Sequence, residues 1–262
     1  PGVRVVVVDA HAPWVDISGN ASVVVADLEP ARELIRAAQA EWASRVREAA
    51  RDADERIESL LASGSGRTML DLARSVAAST TGPLVLGASN PVRAFDLAVP
   101  TLEGRIVHSN RGQAGIDGTV ATAVGICMGS GYAGEASAPA RERVTAVMGD
   151  LTACHDASSL ALAASVDAHL DIIVADDRGG GIFATLEHGR AASADAYDRW
   201  FGLAQSVDYE ALAAAYGVAF ARADAPRELE SLLAHPADGP RLIHAPVERA
   251  AHLYPAVRDV LS

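Results

Sequence analysis

The stretch "GDLTACHDASSLALAASVDAHLDIIVADDRGGGIF" occupies residues 149–183. An acid follows a glycine at Asp150. Two more, Asp176 and Asp177, end the apolar run "LDIIVA", and Gly179, Gly180 and Gly181 come next. Acids this close to apolar strands cost free energy unless something positive sits among them. Asp150 itself closes another apolar run, "RVTAVMGD" (143–150). Carboxylate and carbonyl oxygens suit a hard divalent cation such as Mg²⁺, which keeps few protein ligands and takes the rest from phosphate and water. The glycine before Asp150 lets backbone approach a phosphate, and the N–H groups of a following helix favour an anion. The open backbone of 179–181 offers a carbonyl. Local physics therefore points to a Mg²⁺-diphosphate site, set against the commoner role of a single aspartate as an N-cap or turn residue.

Outward from this stretch the pattern is strand, then helix, repeated. "PLVLGASN" (83–90), "GRIVHSN" (104–110), "RVTAVMGD" and "LDIIVADD" (170–177) read as strands. "GIDGTVATAVGICMG" and "ASSLALAASV" read as helices between them. "YEALAAAYGV", "PRELESLLAH", "PRLIHAP" and "AHLYPAVRDVL" continue the alternation. Strands this apolar must be covered on both faces. The expected fold is α/β, a doubly wound, mostly parallel sheet with helices on both faces. Ligands of such sheets bind outside the carboxyl ends of the strands. The turns "GASN", "SNRGQAGIDG", "GDLT" and "DDRGGG" all fall there.

The N-terminal part differs. Residues 3–9 and 22–26 read as short β-branched strands. Residues 30–62 are rich in Ala, Glu and Arg with apolar residues at helical spacing; Pro30 suits a first helical turn, and the charges read as a solvated face. "GSG" at 64–66 ends this helix as a linker. The chain begins at Pro1 with a strand-like run, which reads as a fragment, a processed chain or a truncated one.

Composition narrows the partners. The formal charge of −12 argues against nucleic acid and anionic membrane surfaces. The apolar runs fall short of the ~20 residues that span a bilayer, and no secretory signal is visible. The two cysteines, Cys127 and Cys154, form no CxxC pair, which fits a reducing cytoplasm.

Asp150 and Asp177 stand 27 residues apart. Gly-Asp, this interval, then an Asn- or Asp-containing turn after an apolar strand resembles the motif of the thiamine diphosphate fold. The resemblance implies Mg²⁺ (Mn²⁺ as an alternative) held by Asp150, Asp177 and the carbonyl of Gly179. Asp177 stands where that family usually has Asn. "SNRGQAGIDG" (109–118) resembles the "SNRGxxGIDG" segment of the MenD family, the 2-succinyl-5-enolpyruvyl-6-hydroxy-3-cyclohexene-1-carboxylate synthases of menaquinone biosynthesis. "GASNPVR" (87–93), "GDLT…HD" (149–156) and "GGGIF" (179–183) are similar to that family in the same order.

The resemblance implies further roles. Ser89, Arg93 and Arg111 would clamp the carboxylates of 2-oxoglutarate and isochorismate, a task the arginine fork suits. Ile116 would prop thiamine diphosphate in its bent shape. Gly149, Asp150, Leu151, Thr152 and Asp177 would meet the cofactor, with Ile182 and Phe183 packed near it. Gly181 stands where some members have Gln and receives no polar role. His108 and His155 read as structural or supporting residues. The implied reaction is decarboxylation of 2-oxoglutarate and 1,4-addition of the four-carbon unit to isochorismate. The implied domains are 1–29, the end of a central domain; 30–66, a helical linker; and 67–262, the diphosphate domain. The family's glutamate, on a pyrimidine domain, has no counterpart within these 262 residues. The resemblance thus implies a homo-oligomer, dimer or tetramer, with weak cofactor binding and no turnover by this chain alone. Two alternatives stand beside it: another carboligase of the class such as an acetolactate synthase, and a non-catalytic Mg²⁺-binding fragment.

Overall fold

The computed structural model describes residues 5–9, 19–32, 40–112, 115–130, 143–166, 168–187 and 194–249. The expected helix "AHLYPAVRDVL", Gln113 and Ala114 lie outside them. The chain divides into two compact units, residues 1–52 and 53–262. In the first, β1 (Val6–Val8) and β2 (Val23–Val25) pair in parallel, Val7 opposite Val24. A short helix α1 (Glu29–Arg32) follows, and a longer one, α2 (Ala40–Ala62), begins there.

Among the described residues the second unit is built on a sheet of six parallel strands. They are β3 (Leu84–Leu86), β4 (Val107–His108), β5 (Val144–Gly149), β6 (Leu170–Asp176), β7 (Ala219–Arg222) and β8 (Arg241–Pro246). Their order is β4-β3-β5-β6-β8-β7, and every neighbouring pair is parallel. The helices between them are α3 (Met69–Ser79), α4 (Asn90–Ala98), α5 (Thr119–Ser130), α6 (Asp150–His155), α7 (Leu160–Ser165), α8 (Ala194–Tyr197), α9 (Tyr209–Tyr216) and α10 (Pro226–Ala234).

The period of two along each strand sorts the core into two layers. Leu84, Leu86, Val147, Ile173 and Ile243 face α3, α4 and α10, where Ile57 and Leu61 of α2 also pack. Val85, Ala146, Met148, Ile172, Val174 and Leu242 face α5, α6, α7 and α9. Both faces are covered, so β5 and β6 are apolar almost throughout, as a buried parallel sheet requires. Local signals set the helix ends. Thr68 and Asp71 form a capping box at the start of α3, and the Asp208 carboxylate accepts the Ala211 N–H at 3.0 Å at the start of α9.

One buried acid belongs to the opposite end of the sheet. Asp171, near the start of β6, accepts from Arg143 Nε at 2.6 Å and from Arg241 Nε at 2.7 Å. The same two guanidiniums also donate to the carbonyls of Ala237, Gly239, Leu232 and His235, so this buried charge is fully paired.

Candidate functional site

The sheet order creates a switch point. From β3 the chain moves outward to β4, then returns to β5 on the other side of β3. The helix after β3, α4, covers one face, and the helix after β5, α6, covers the other. Connections leaving in opposite directions open a crevice at the carboxyl ends of the two strands. A cavity lies there, with about 510 Å³ of empty space that includes its opening to solvent, lined by Met69, Ser89, Asn90, Pro91, Ile116, Gly149, Asp150, Leu151, Thr152, Ala175, Asp177, Gly179, Gly180, Gly181, Ile182 and Phe183.

Two carboxylates dominate its electrostatics. Asp150 is 2% exposed. Its Oδ1 accepts the Leu151 N–H at 2.8 Å, whereas its buried Oδ2 has no hydrogen-bond partner. Burial pushes the Asp150 carboxyl up to about 6. Burial, reinforced by the charge of Asp150, pushes Asp177 up to about 7. Buried polar atoms without partners are rare, and one inside a cavity calls for a ligand. A divalent cation would satisfy the orphaned oxygen and remove the repulsion between the two acids. Among the described residues no group of three or more His, Cys, Asp or Glu side chains forms a metal cage. Two carboxylates and a backbone carbonyl are instead the small donor set of an ion that completes its shell with phosphate and water. A Cβ at Gly149 would meet no protein atom within 4 Å, so the wall beside Asp150 is open.

Asp176 acts on Asp150 through its charge and a side-chain contact, and its other partners are His244 and Arg178. Its Oδ2 meets His244 Nε2 at 2.8 Å and its Oδ1 accepts the Arg178 N–H at 2.9 Å. Burial raises its pKa, but these hydrogen bonds outweigh burial and hold it below the usual carboxylate range. It therefore stays an anion, and its charge adds to the burial that raises Asp150.

The turn after β6 has little conformational freedom. Arg178 has φ 63° and Gly179 φ 124°, and a Cβ on Gly179 would run into the Gly202 carbonyl. A Cβ on Gly181 would run into the Asp177 carboxylate. The turn is tied to the segment 197–202: the Gly180 N–H donates to the Gly202 carbonyl at 2.6 Å, and the Tyr197 hydroxyl donates to the Gly180 carbonyl at 2.8 Å. The Gly179 carbonyl accepts the Gly181 N–H at 3.0 Å, which leaves it a second lone pair.

Of the residues singled out from the sequence, Ser89, Ile116, Gly149, Asp150, Leu151, Thr152, Asp177, Gly179, Ile182 and Phe183 share this one cavity. Arg93 and Arg111 do not line it. Both are exposed, and Arg93 Nη1 donates back to the Ser89 carbonyl at 3.0 Å. His155 is exposed at the end of α6, His108 is half-buried on β4, and neither reaches the cavity. Asp156 of the "HD" pair caps a helix. Its Oδ2 accepts the N–H groups of Val120 and Ala121 at 2.6 and 3.0 Å, at the start of α5. Sequence reading passed over Asn90, whose buried Oδ1 lacks a partner on the cavity wall, and also His244 and Arg249. A polar residue interrupting the apolar strand "RLIHAP" was the available signal for His244.

The fold is a parallel α/β sheet with a cavity at its switch point, and comparison gives the family. The profile described as "Thiamine pyrophosphate enzyme, C-terminal TPP binding domain" matches residues 97–245, more than half of the chain, and the chain belongs to that family. Within it, the chain is similar to named synthases. The 2-succinyl-5-enolpyruvyl-6-hydroxy-3-cyclohexene-1-carboxylate synthase of Nocardioides sp. JS614 is 41% identical over 215 residues, covering 80% of this chain and 38% of that one. The synthase of the same name from Rhodococcus erythropolis PR4 is 36% identical, covering 100% of this chain and 47% of its own. The resemblance read from the motifs is therefore borne out. The chain spans less than half the length of these relatives. Benzoylformate decarboxylase from Polynucleobacter necessarius shares the fold at TM-score 0.56 and 18% identity, over 69% of this chain and 33% of that one. The 4-hydroxybenzoylformate decarboxylase of Rhodococcus jostii RHA1 does so at TM-score 0.55 and 19% identity, over 71% and 33%.

Proposed function

We propose that this chain is the diphosphate-binding part of a Mg²⁺- and thiamine diphosphate-dependent transferase. The reaction is the decarboxylation of 2-oxoglutarate and 1,4-addition of its four-carbon remainder to isochorismate, in menaquinone biosynthesis. The observation that carries the reading is the unpartnered Oδ2 of Asp150, in a cavity that also gathers Asp177, Ser89, Ile116 and the "GGGIF" turn. Similarity to synthases named for this product supports the substrate assignment.

In this reading Asp150, Asp177 and the Gly179 carbonyl hold Mg²⁺, with Mn²⁺ as a substitute, and Gly149, Leu151 and Thr152 border the diphosphate. Ile116, Ile182 and Phe183 supply the apolar walls that shape the cofactor and exclude water. Thiamine diphosphate, once bound, supplies the electron sink for decarboxylation. Ser89, Arg93 and Arg111 orient substrate carboxylates. The two arginines do not line the cavity, and in this reading they meet the substrates outside it. Residues 67–262 form the diphosphate domain, 30–66 a helical linker and 1–29 the end of a central domain. The working protein is a cytoplasmic homo-oligomer in which a pyrimidine domain completes each site. The 262 residues by themselves bind the cofactor weakly and turn nothing over.

An assay of the protein that contains this chain, with 2-oxoglutarate and isochorismate, tests the assignment. Product formation requiring both substrates is expected, and turnover of pyruvate in place of 2-oxoglutarate would contradict it. Detectable synthase turnover by the 262-residue chain alone would contradict the claim that a pyrimidine domain is needed.

A further inference from the structure

Arg249 stands three residues beyond β8 and reaches the turn after β6. Its Nε donates to the Asp177 carbonyl at 2.9 Å, and its Nη2 donates to the Arg178 carbonyl. Its Nη1 meets Asp198 Oδ1 at 3.0 Å. One planar fork thus grips two successive carbonyls of the turn and anchors them to the segment 198–202. A lysine has three donors but no rigid fork with which to match this arrangement.

The turn requires such a grip. Arg178, at φ 63°, occupies a left-handed conformation that strains a residue with a side chain and persists only when neighbours over-determine it. The ties from Tyr197 and Gly202 reach Gly180, beyond the strained residue. Arg249 grips the two peptides that carry Asp177 and Arg178, which sets the direction in which the Asp177 carboxylate leaves the backbone. Its side chain is 31% exposed, so it contributes hydrogen bonds here and little core.

We propose that Arg249 is a positioning residue for the cation. It fixes the 177–178 backbone so that the Asp177 carboxylate meets Asp150 across the cavity, and it does so without touching the ion. The proposal rests on the reading of Asp150 and Asp177 as cation ligands. Residues that orient metal ligands from behind typically carry 10–100-fold of metal affinity.

The test measures Mn²⁺ affinity by electron paramagnetic resonance at saturating thiamine diphosphate, together with thermal melts of the ligand-free proteins. The parent 262-residue chain is compared with Arg249→Ala, Arg249→Lys and Asp198→Asn. Arg249→Ala should weaken Mn²⁺ binding about tenfold or more, and added guanidinium ion should restore part of it. Arg249→Lys should fall between the two, and Asp198→Asn, which frees one arm of the fork, should lose less. A lower melting temperature with Mn²⁺ affinity unchanged in folded Arg249→Ala would overturn the proposal, because a purely structural role moves only the melt. If Arg249→Ala does not fold, unchanged affinity in both Arg249→Lys and Asp198→Asn overturns it equally. Absence of Mn²⁺ and cofactor binding in the parent overturns the cation-site reading itself, and this inference with it.

Discussion

Asp150 lies beside Asp177 with one carboxylate oxygen unpaired, and its charge helps keep the Asp177 carboxyl protonated up to about 7. The pair is costly to the ligand-free protein. An unfolded aspartate titrates near about 3.9. Folded, Asp150 keeps its proton to about 6 and Asp177 to about 7, so the folded state binds more protons than the unfolded one between these values. Stability from these groups is present below about pH 4 and is lost as pH rises through the folded values.

Asp177→Asn should therefore raise the melting temperature of the ligand-free protein at pH 8 and leave it nearly unchanged at pH 4. The gain is on the order of 1–3 kcal/mol, discounted because Asp177 is partly exposed. Asn is also the residue that related motifs carry at this position, so Mg²⁺-dependent binding of thiamine diphosphate should survive. Denaturant titrations of parent and variant at the two pH values check the sign.

Metal binding must run the other way with pH. Its carboxylate ligands act deprotonated. Mg²⁺ affinity at saturating cofactor should climb between about pH 5 and pH 8 and flatten above, following the raised pKa values. Calorimetry across this range reads it, and an affinity flat from pH 5 to 8 would contradict the assignment of these two ligands.

Gly181→Ala places a methyl group against the Asp177 carboxylate. The carboxylate has to swing away, so Mg²⁺-dependent cofactor binding should fall well below the parent while the fold persists. Circular dichroism controls for the fold, and calorimetry reads the loss.

Asp171 supplies the contrast at the other end of the sheet. It is as buried as Asp150 but fully paired with Arg143 and Arg241. Asp171→Asn leaves two guanidiniums without their anion and should cost about 3–5 kcal/mol of stability. Cofactor affinity of the folded fraction should not change. Asp150→Ala should show the opposite pattern, with binding lost and stability kept, because Asp150 has no arginine partner among the described residues where Asp171 has two.

What the sequence disclosed follows the range of the interactions. The apolar runs of β5 and β6, and the glycine and acids that end them, were legible because each signal is local. Asp150, Asp177 and Ile116 line one cavity. The break between α6 and α7 at Asp156 was not legible. That side chain is taken by N–H groups of α5, whose first turn lies 35 and 36 residues earlier. β7 is an edge strand of four residues, two exposed and two half-buried, without an apolar run to mark it. Arg249 acts on a carbonyl 72 residues away, and no periodicity reports such a bond. The exposure of Arg93 and Arg111 was equally hidden, since a motif fixes residue type and order but not where a long side chain ends.

The most direct test is calorimetry of thiamine diphosphate binding to this chain, with and without Mg²⁺, comparing the parent with Asp150→Ala. The expected result is binding in the parent that requires Mg²⁺ and is abolished in the variant. Equal binding by the two proteins, or binding indifferent to Mg²⁺, would contradict the assignment of this cavity to a metal-bridged diphosphate.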